Sequence, residues 1–346
     1  MGLGGVVKCE EYGAVIVMVL TNIGMGLTNV LIRKALDGGI NHMVIATYRL
    51  AISALFMSPF ALLLERRDRP KLTLTILCQH FISGLLGASL VQYFCLLGLG
   101  YTSATVTCAF FSMIPAITFA LALLFRTESL NLKNKAGKAK VLGTLVCVGG
   151  ALLLTFYKGV PISNPHSGTE ALHANPHPKK NKTRNWLLGC LFNFIASILL
   201  SSWIIFQAKI NVAFPCKHSS TVLMSGFASF QCALLSLIKV RDIQGWVLRG
   251  QFLIFVVVYS GVVGQAASTV AMTWCIKKKG PVFTSLFYPV MLMSATLFDF
   301  LVFRRQLYLS SIIGSIVIVA GLYVYLWGKY KDVGDVPTRE ETLGQL

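Results

Sequence analysis

Acidic side chains are scarce in this chain: 13 Asp and Glu stand against 31 Lys and Arg in 346 residues. Charge of either sign is thin, at 13% of the sequence, which is roughly half of what a soluble domain carries. An ordinary water-facing surface is therefore excluded, and a hydrophobic fraction of 55% makes the bilayer the solvent. No CxxC pair occurs among the nine cysteines, and Cys78, Cys95, Cys108, Cys147, Cys190, Cys232 and Cys275 fall in apolar stretches. They read as small packing residues, not as a disulfide or zinc framework. A clustered acid/base, nucleophile or metal-ligand set is missing too, so neither an enzyme nor a cofactor or metal site is expected.

Long apolar runs are what the chain does have. Ten of them fall near 13–32, 43–64, 76–97, 104–125, 139–157, 186–207, 219–238, 251–273, 282–303 and 308–327. Each is long enough to cross a bilayer as a helix. Five lie on either side of a polar segment, so the second five enter the membrane from the opposite face. The expected fold is all-α and integral to the membrane: ten transmembrane helices as two inverted five-helix repeats. The domains read as a tail (1–12), a first repeat (13–157), a polar linker (158–185), a second repeat (186–327) and a second tail (328–346).

The net charge of +18 sits in loops, which points to lipid headgroups and not to nucleic acid as its partner. Arg66, Arg67, Arg69 and Lys71 follow span two; Lys133, Lys135, Lys138 and Lys140 follow span four; Lys277, Lys278 and Lys279 follow span eight. By the positive-inside rule these loops and both termini are cytosolic and the linker is not. The linker's His166, His173 and His177 lack Cys or acidic neighbours at ligand spacing and read as solvated. Its sequon at Asn181 lies close to the membrane, where glycosylation is not expected.

At an offset of about 177 residues, Gly84 and Gly87 in span three align with Gly261 and Gly264 in span eight. Gly143 and Gly150 in span five align, after a short adjustment, with Gly314 and Gly321 in span ten. Small residues let helix backbones approach where lipid supplies no hydrophobic drive, so these are packing positions first. Pro115 and Pro289 fall within about one turn of equivalent places in spans four and nine, and paired kinks mark a path at midplane.

Polar groups inside spans are costly unless they meet a partner, a cavity or a substrate. Candidate substrate-binding residues are Asn22 and Asn29 of span one, Arg49 of span two, Gln92 and Tyr93 of span three, Ser197 and Ser201 of span six, and Gln265 and Thr269 of span eight. Arg49 is the strongly basic residue well inside a span and suits a substrate carboxylate, with interfacial snorkelling as the competing reading. Phe287 and Tyr288, flanking Pro289, are candidate aromatic walls. Few acids lie in the spans, which favours facilitated diffusion over obligatory proton coupling, with His80 and Asp299 as the groups through which protons could still act.

Several motifs in order carry a family resemblance: Tyr48-Arg49, Pro59-Phe60-Ala61, Glu65-Arg66-Arg67-Asp68-Arg69-Pro70, Ile114-Pro115-Ala116-Ile117-Thr118-Phe119, Trp186-x-x-Gly189, Lys279-Gly280-Pro281-Val282 and Gly321-Leu322-Tyr323. The chain resembles the plant "usually multiple acids move in and out", or walls-are-thin-related, transporters, of EamA type in the drug/metabolite transporter superfamily. That resemblance implies ten helices, cytosolic termini and bidirectional movement of amino acids, with auxin or another small metabolite at the vacuole as the alternative. It makes the plasma membrane the first expected location and the vacuolar membrane the second. One position departs from the family: Glu128 ends span four, but Arg305 stands where a second Glu is usual after span nine. Glu128 and Arg305, with Pro115 and Pro289, are candidate gating residues. Oligomeric state is left open.

Overall fold

The computed structural model describes residues 3–37, 40–66, 70–102, 104–125, 134–156, 182–239, 246–303 and 309–334. Spans one and two are single helices, Leu3–Asp37 and His42–Leu64. Span three is Leu74–Gly84 and Leu90–Tyr101 joined through a π-helical segment, Leu85–Ser89. Span four is split into Ala104–Ser112 and Ile114–Leu124, and span five is Lys135–Phe156. Spans six and seven are Lys182–Ala213 and Lys217–Lys239. Span eight is Gln251–Tyr259 and Ser268–Lys279 around a second π segment, Ser260–Ala267. Span nine is split into Pro281–Ser285 and Tyr288–Phe303, and span ten is Leu309–Gly334.

Among the described residues nine helices are long and apolar enough to cross a membrane. The tenth crossing is span four, whose break at Met113 leaves two short apolar pieces. The helices overrun the apolar runs at several ends: the first starts at Leu3, inside the expected tail, and the sixth at Lys182, inside the expected linker. Polar residues there extend the helix because its backbone hydrogen bonds do not depend on a hydrophobic side chain. Leu63 is 81% and Val212 86% exposed, as side chains facing lipid must be.

Packing follows a two-fold. Span five packs on span ten and span two on span seven, each against its own repeat mate. The remaining major contacts come in exchanged couples: three on six with eight on one, four on six with nine on one, and two on eight with seven on three. Swapping the halves leaves this pattern unchanged, as two repeats of opposite orientation require.

Glycines set the closest approaches. A Cβ on Gly143 would stand 2.7 Å from the carbonyl of Gly321, and one on Gly321 2.9 Å from the carbonyl of Gly143. Gly150 likewise meets Gly314 and Ile318, so the aligned glycines of spans five and ten face each other as one seam. The eight-to-nine connection is Gly280 alone; its φ of 89° favours glycine, and Pro281 then starts the next helix where a missing N–H costs nothing.

Candidate functional site

The two π segments lie at equivalent places; Gly87, Gly261 and Gly264 sit on them, and Gly84 ends the helix just before the first. A Cβ on Gly84 would meet the Met224 carbonyl of span seven at 3.0 Å; one on Gly261 would meet the Arg49 carbonyl of span two at 2.9 Å. Gly87 is pressed against the Trp203 indole of span six, and its counterpart Gly264 against Thr28 of span one. Each π segment is thus the point where two helices of the other half converge. A π turn also misaligns backbone carbonyls, which is why such turns recur at functional sites.

Arg49 lies at this convergence. Its carbonyl touches Gly261 of span eight, while its guanidinium is within electrostatic reach of Cys232 in span seven and His42. Cys232 Sγ in turn contacts Ser89 Oγ at 3.6 Å, at the end of the span-three π segment. Ser89 also donates to Gln231 Oε1 at 2.8 Å, and Gln231 Nε2 donates to the Phe81 carbonyl at 3.1 Å. Spans two and seven cross nearby through a Ser53 to Ser225 hydroxyl pair, 3.1 Å apart. Arg49 Nε is buried and has no acceptor among the described residues, and the one ion pair among them is Arg33 with Asp299 at 3.4 Å. A cation inside the membrane without a carboxylate beside it is the strongest polar demand in the fold.

A second polar system closes the basic face, where spans three and seven begin and six and eight end. The indole N–H of Trp203 donates to Ser83 Oγ at 3.0 Å, and Ser83 donates to Gln207 Oε1 at 3.2 Å. Gln207 Nε2 donates to Ser220 Oγ at 3.3 Å and to Asn211 Oδ1 at 3.3 Å, and Asn211 donates to the Thr273 carbonyl at 3.0 Å. His80 is wholly buried beside them: Nδ1 is 2.8 Å from the Ile76 carbonyl and Nε2 3.0 Å from Ser220 Oγ. A carbonyl can only accept, so Nδ1 carries the proton and Nε2 accepts from Ser220. Every donor in this chain points one way. At the repeat offset of about 177, the counterparts of His80, Gln207 and Ser220 are Val257, Val30 and Met43, all buried. The opposite face is closed there by an apolar cluster of Ile32, Ile45, Leu253, Val256 and Val257.

Pro115 and Pro289 each stand at the start of the second piece of a broken span. Ser201 donates to the Ile114 carbonyl at 3.4 Å, so a span-six hydroxyl reaches the break in span four. Phe287 and Tyr288 are buried in the main apolar core, with Phe283 5.1 Å from Phe287.

The remaining candidates divide. Asn22 is fully buried with Nδ2 donating to the Met18 carbonyl at 2.8 Å and Oδ1 lacking a donor among the described residues. It sits two residues from Gly24, which packs on Val263 of the second π segment. Gln265 on that segment donates to Thr269 at 3.2 Å. Ser197 donates to its own helix at Asn193. Asn29 is exposed, against Met291 Sδ at 3.4 Å, and Gln92 and Tyr93 are half-buried, Tyr93 edge-on to Phe94. Glu128, Arg305 and the linker histidines lie outside the described residues.

Sequence reasoning passed over Ser83, Gln207, Asn211, Ser220, Ser53 with Ser225, and Gln231. Gln207, Asn211 and Ser220 lie at or beyond the apolar cores of their spans, where polar residues are unremarked; their signal was an uncharged amide or hydroxyl in a helix end rich in apolar neighbours. Glu65 directly follows the helix of span two, and its carboxylate acts across helices: Oε1 and Oε2 accept from the backbone N–H of His218 and Ser219 at 2.9 and 2.7 Å, capping span seven.

Residues 13–156, the first repeat, match the EamA-like transporter family. A WAT1-related protein of Arabidopsis thaliana is 58% identical over 329 residues, covering 95% of this chain and 90% of that protein. Another from the same plant is 56% identical over 325 residues, covering 93% and 89%. Protein WALLS ARE THIN 1 of Arabidopsis thaliana is 35% identical over 323 residues, covering 92% and 83%. A protein solved by crystallography superposes with a TM-score of 0.64 at 14% identity, covering 91% of this chain and 97% of that one, a likeness of fold. With two inverted five-helix repeats, paired π segments and this degree of identity, the chain belongs to the WAT1-related proteins of the EamA-like transporter family, multi-pass membrane transporters of small molecules.

Proposed function

We propose that this chain carries amino acids across the membrane by bidirectional facilitated diffusion, alternating access by rocking one five-helix half against the other. The observation that supports it is Arg49: a buried guanidinium on the helix whose Arg49 carbonyl meets Gly261 of the span-eight π segment, its Nε without an acceptor among the described residues, suits a substrate carboxylate held by charge-assisted bonds. Asn22 Oδ1, which lacks a donor among the described residues, lies on the helix packed against the span-eight segment and suits the ammonium. The reading assigns Gln265 and Thr269 to the wall beside it. The scarcity of acids in the described spans, where Asp299 is engaged with Arg33, supports solute-driven and not proton-driven movement. Both termini and the basic face are cytosolic in this reading, and the plasma membrane is the site of action.

Proteoliposomes loaded with labelled amino acids, tested beside indole acids, check the substrate. Amino-acid uptake that falls at least tenfold in Arg49→Gln and partly recovers in Arg49→Lys is the expected result. Transport of indole acids with no amino acid accepted moves the reading to an auxin-like metabolite carrier.

A further inference from the structure

Where spans five and ten meet at the basic face, their crossing leaves a groove of about 620 Å³, with Lys135, Lys138, Leu142, Tyr323, Val324 and Trp327 along it. Gly328 brings the two helices together, its Cβ position 2.9 Å from the Ala136 carbonyl, and Gly143 packs them again against Tyr325. The chemistry is graded along the groove. Lys135 and Lys138 are exposed at the mouth, and Lys331 Nζ stands 4.7 Å from the Trp327 ring centroid. No carboxylate among the described residues lines it. The other walls are hydrocarbon and aromatic, and Leu142 at 56% and Tyr323 at 70% exposure are open to the outside of the helix bundle.

We infer that this groove binds an anionic phospholipid, the phosphate at Lys135 and Lys138 and an acyl chain along Leu142, Val324 and Trp327. A soluble anion would use only the mouth and leave the apolar wall unmatched; a zwitterionic lipid would match the wall and leave the lysines uncompensated. An anionic lipid satisfies both ends, and lysines at a membrane surface attract it. The lysine wall belongs to the first repeat and the aromatic wall to the second, so the lipid bridges the halves at their glycine seam. This inference rests on the membrane fold alone and is independent of the substrate.

Native mass spectrometry of the full chain in mild detergent tests it, with phosphatidylglycerol, phosphatidylcholine of the same acyl chains, and glycerophosphoglycerol alone as three arms. Phosphatidylglycerol is retained about tenfold over phosphatidylcholine, and the free headgroup is not retained. Lys135→Gln with Lys138→Gln removes the preference, while Lys71→Gln with Lys277→Gln, exposed lysines outside the groove, leaves it intact. Trp327→Ala weakens retention of both lipids. Equal retention of the two lipids, retention of the headgroup alone, a preference that survives the groove substitutions, or one lost equally in the control pair overturns the inference.

Discussion

On the proposed reading, a substrate carboxylate meets Arg49, which has no ion-pair partner among the described residues. Truncating one partner of a buried charge-assisted pair costs about 2–5 kcal/mol, so Arg49→Gln raises the KM for an amino acid more than tenfold while leaving the fold intact. The comparison with Arg49→Lys separates charge from bidentate geometry: Lys restores attraction and not the fork. Glu65 makes the opposite kind of prediction. Glu65→Ala leaves two helix N–H groups of span seven uncapped and lowers stability by about 1–2 kcal/mol, read as a lower melting temperature of the detergent-solubilised chain. Glu65→Gln, which keeps one acceptor, falls between. Arg49 was legible in the sequence because a cation within an apolar run stands out by itself. Glu65 was visible as an acid at a helix end, but the helix that it caps lies about 150 residues away and no local pattern announces such a contact.

Helix pairs show which sequence features carry packing. The glycine seam of spans five and ten predicts a sharp contrast between neighbours: Gly143→Ala drives a Cβ to 2.5 Å from the Tyr325 backbone nitrogen, whereas Gly149→Ala enters open space. The first separates the helices and lowers the yield of folded protein; the second leaves yield and melting temperature within error, by thermal unfolding of both. The aligned glycines of spans three and eight were readable because repetition at one offset is a sequence property. Their coincidence with π segments was not, since a π turn arises from how spans one, two, six and seven press on spans three and eight. The polar chain from Trp203 to His80 was hidden for a further reason: serine and amide residues near helix ends match solvent-facing composition until folding closes a neighbour over them. Interhelical hydrogen bonds in membranes average roughly 0.6 kcal/mol, so Ser220→Ala costs little more than about 1–2 kcal/mol in stability. It leaves His80 Nε2 without its donor and loosens the closure between spans six and seven. Labelling of a cysteine introduced at Ser83 by a membrane-impermeant thiol reagent, in a background with the native cysteines replaced, is therefore faster in Ser220→Ala than with Ser220 retained. Unchanged labelling contradicts a gating role for that contact.

Across the whole molecule, the two-fold exchanges helix pairs but not chemistry. One face is closed by directional hydrogen bonds and the other by apolar contact among Ile32, Ile45, Leu253, Val256 and Val257. Apolar closure separates at the cost of wetting its surface and polar closure exchanges its partners for water, so the proposed alternating access predicts different opening barriers at the two faces. Asn22, Ser197 and Ser201 are buried. The ten-helix inverted architecture was legible from run lengths and the odd number per half, because the bilayer permits few alternatives. The most direct measurement of the central claim, a carrier with alternating access and a carboxylate site, is counterflow in proteoliposomes. Efflux of a labelled amino acid is timed with and without unlabelled solute on the other side. Acceleration by the unlabelled amino acid, absent when its carboxylate is replaced by an amide and lost in Arg49→Gln, is the predicted result. Efflux indifferent to the trans solute, or equal acceleration by the amide, contradicts the account.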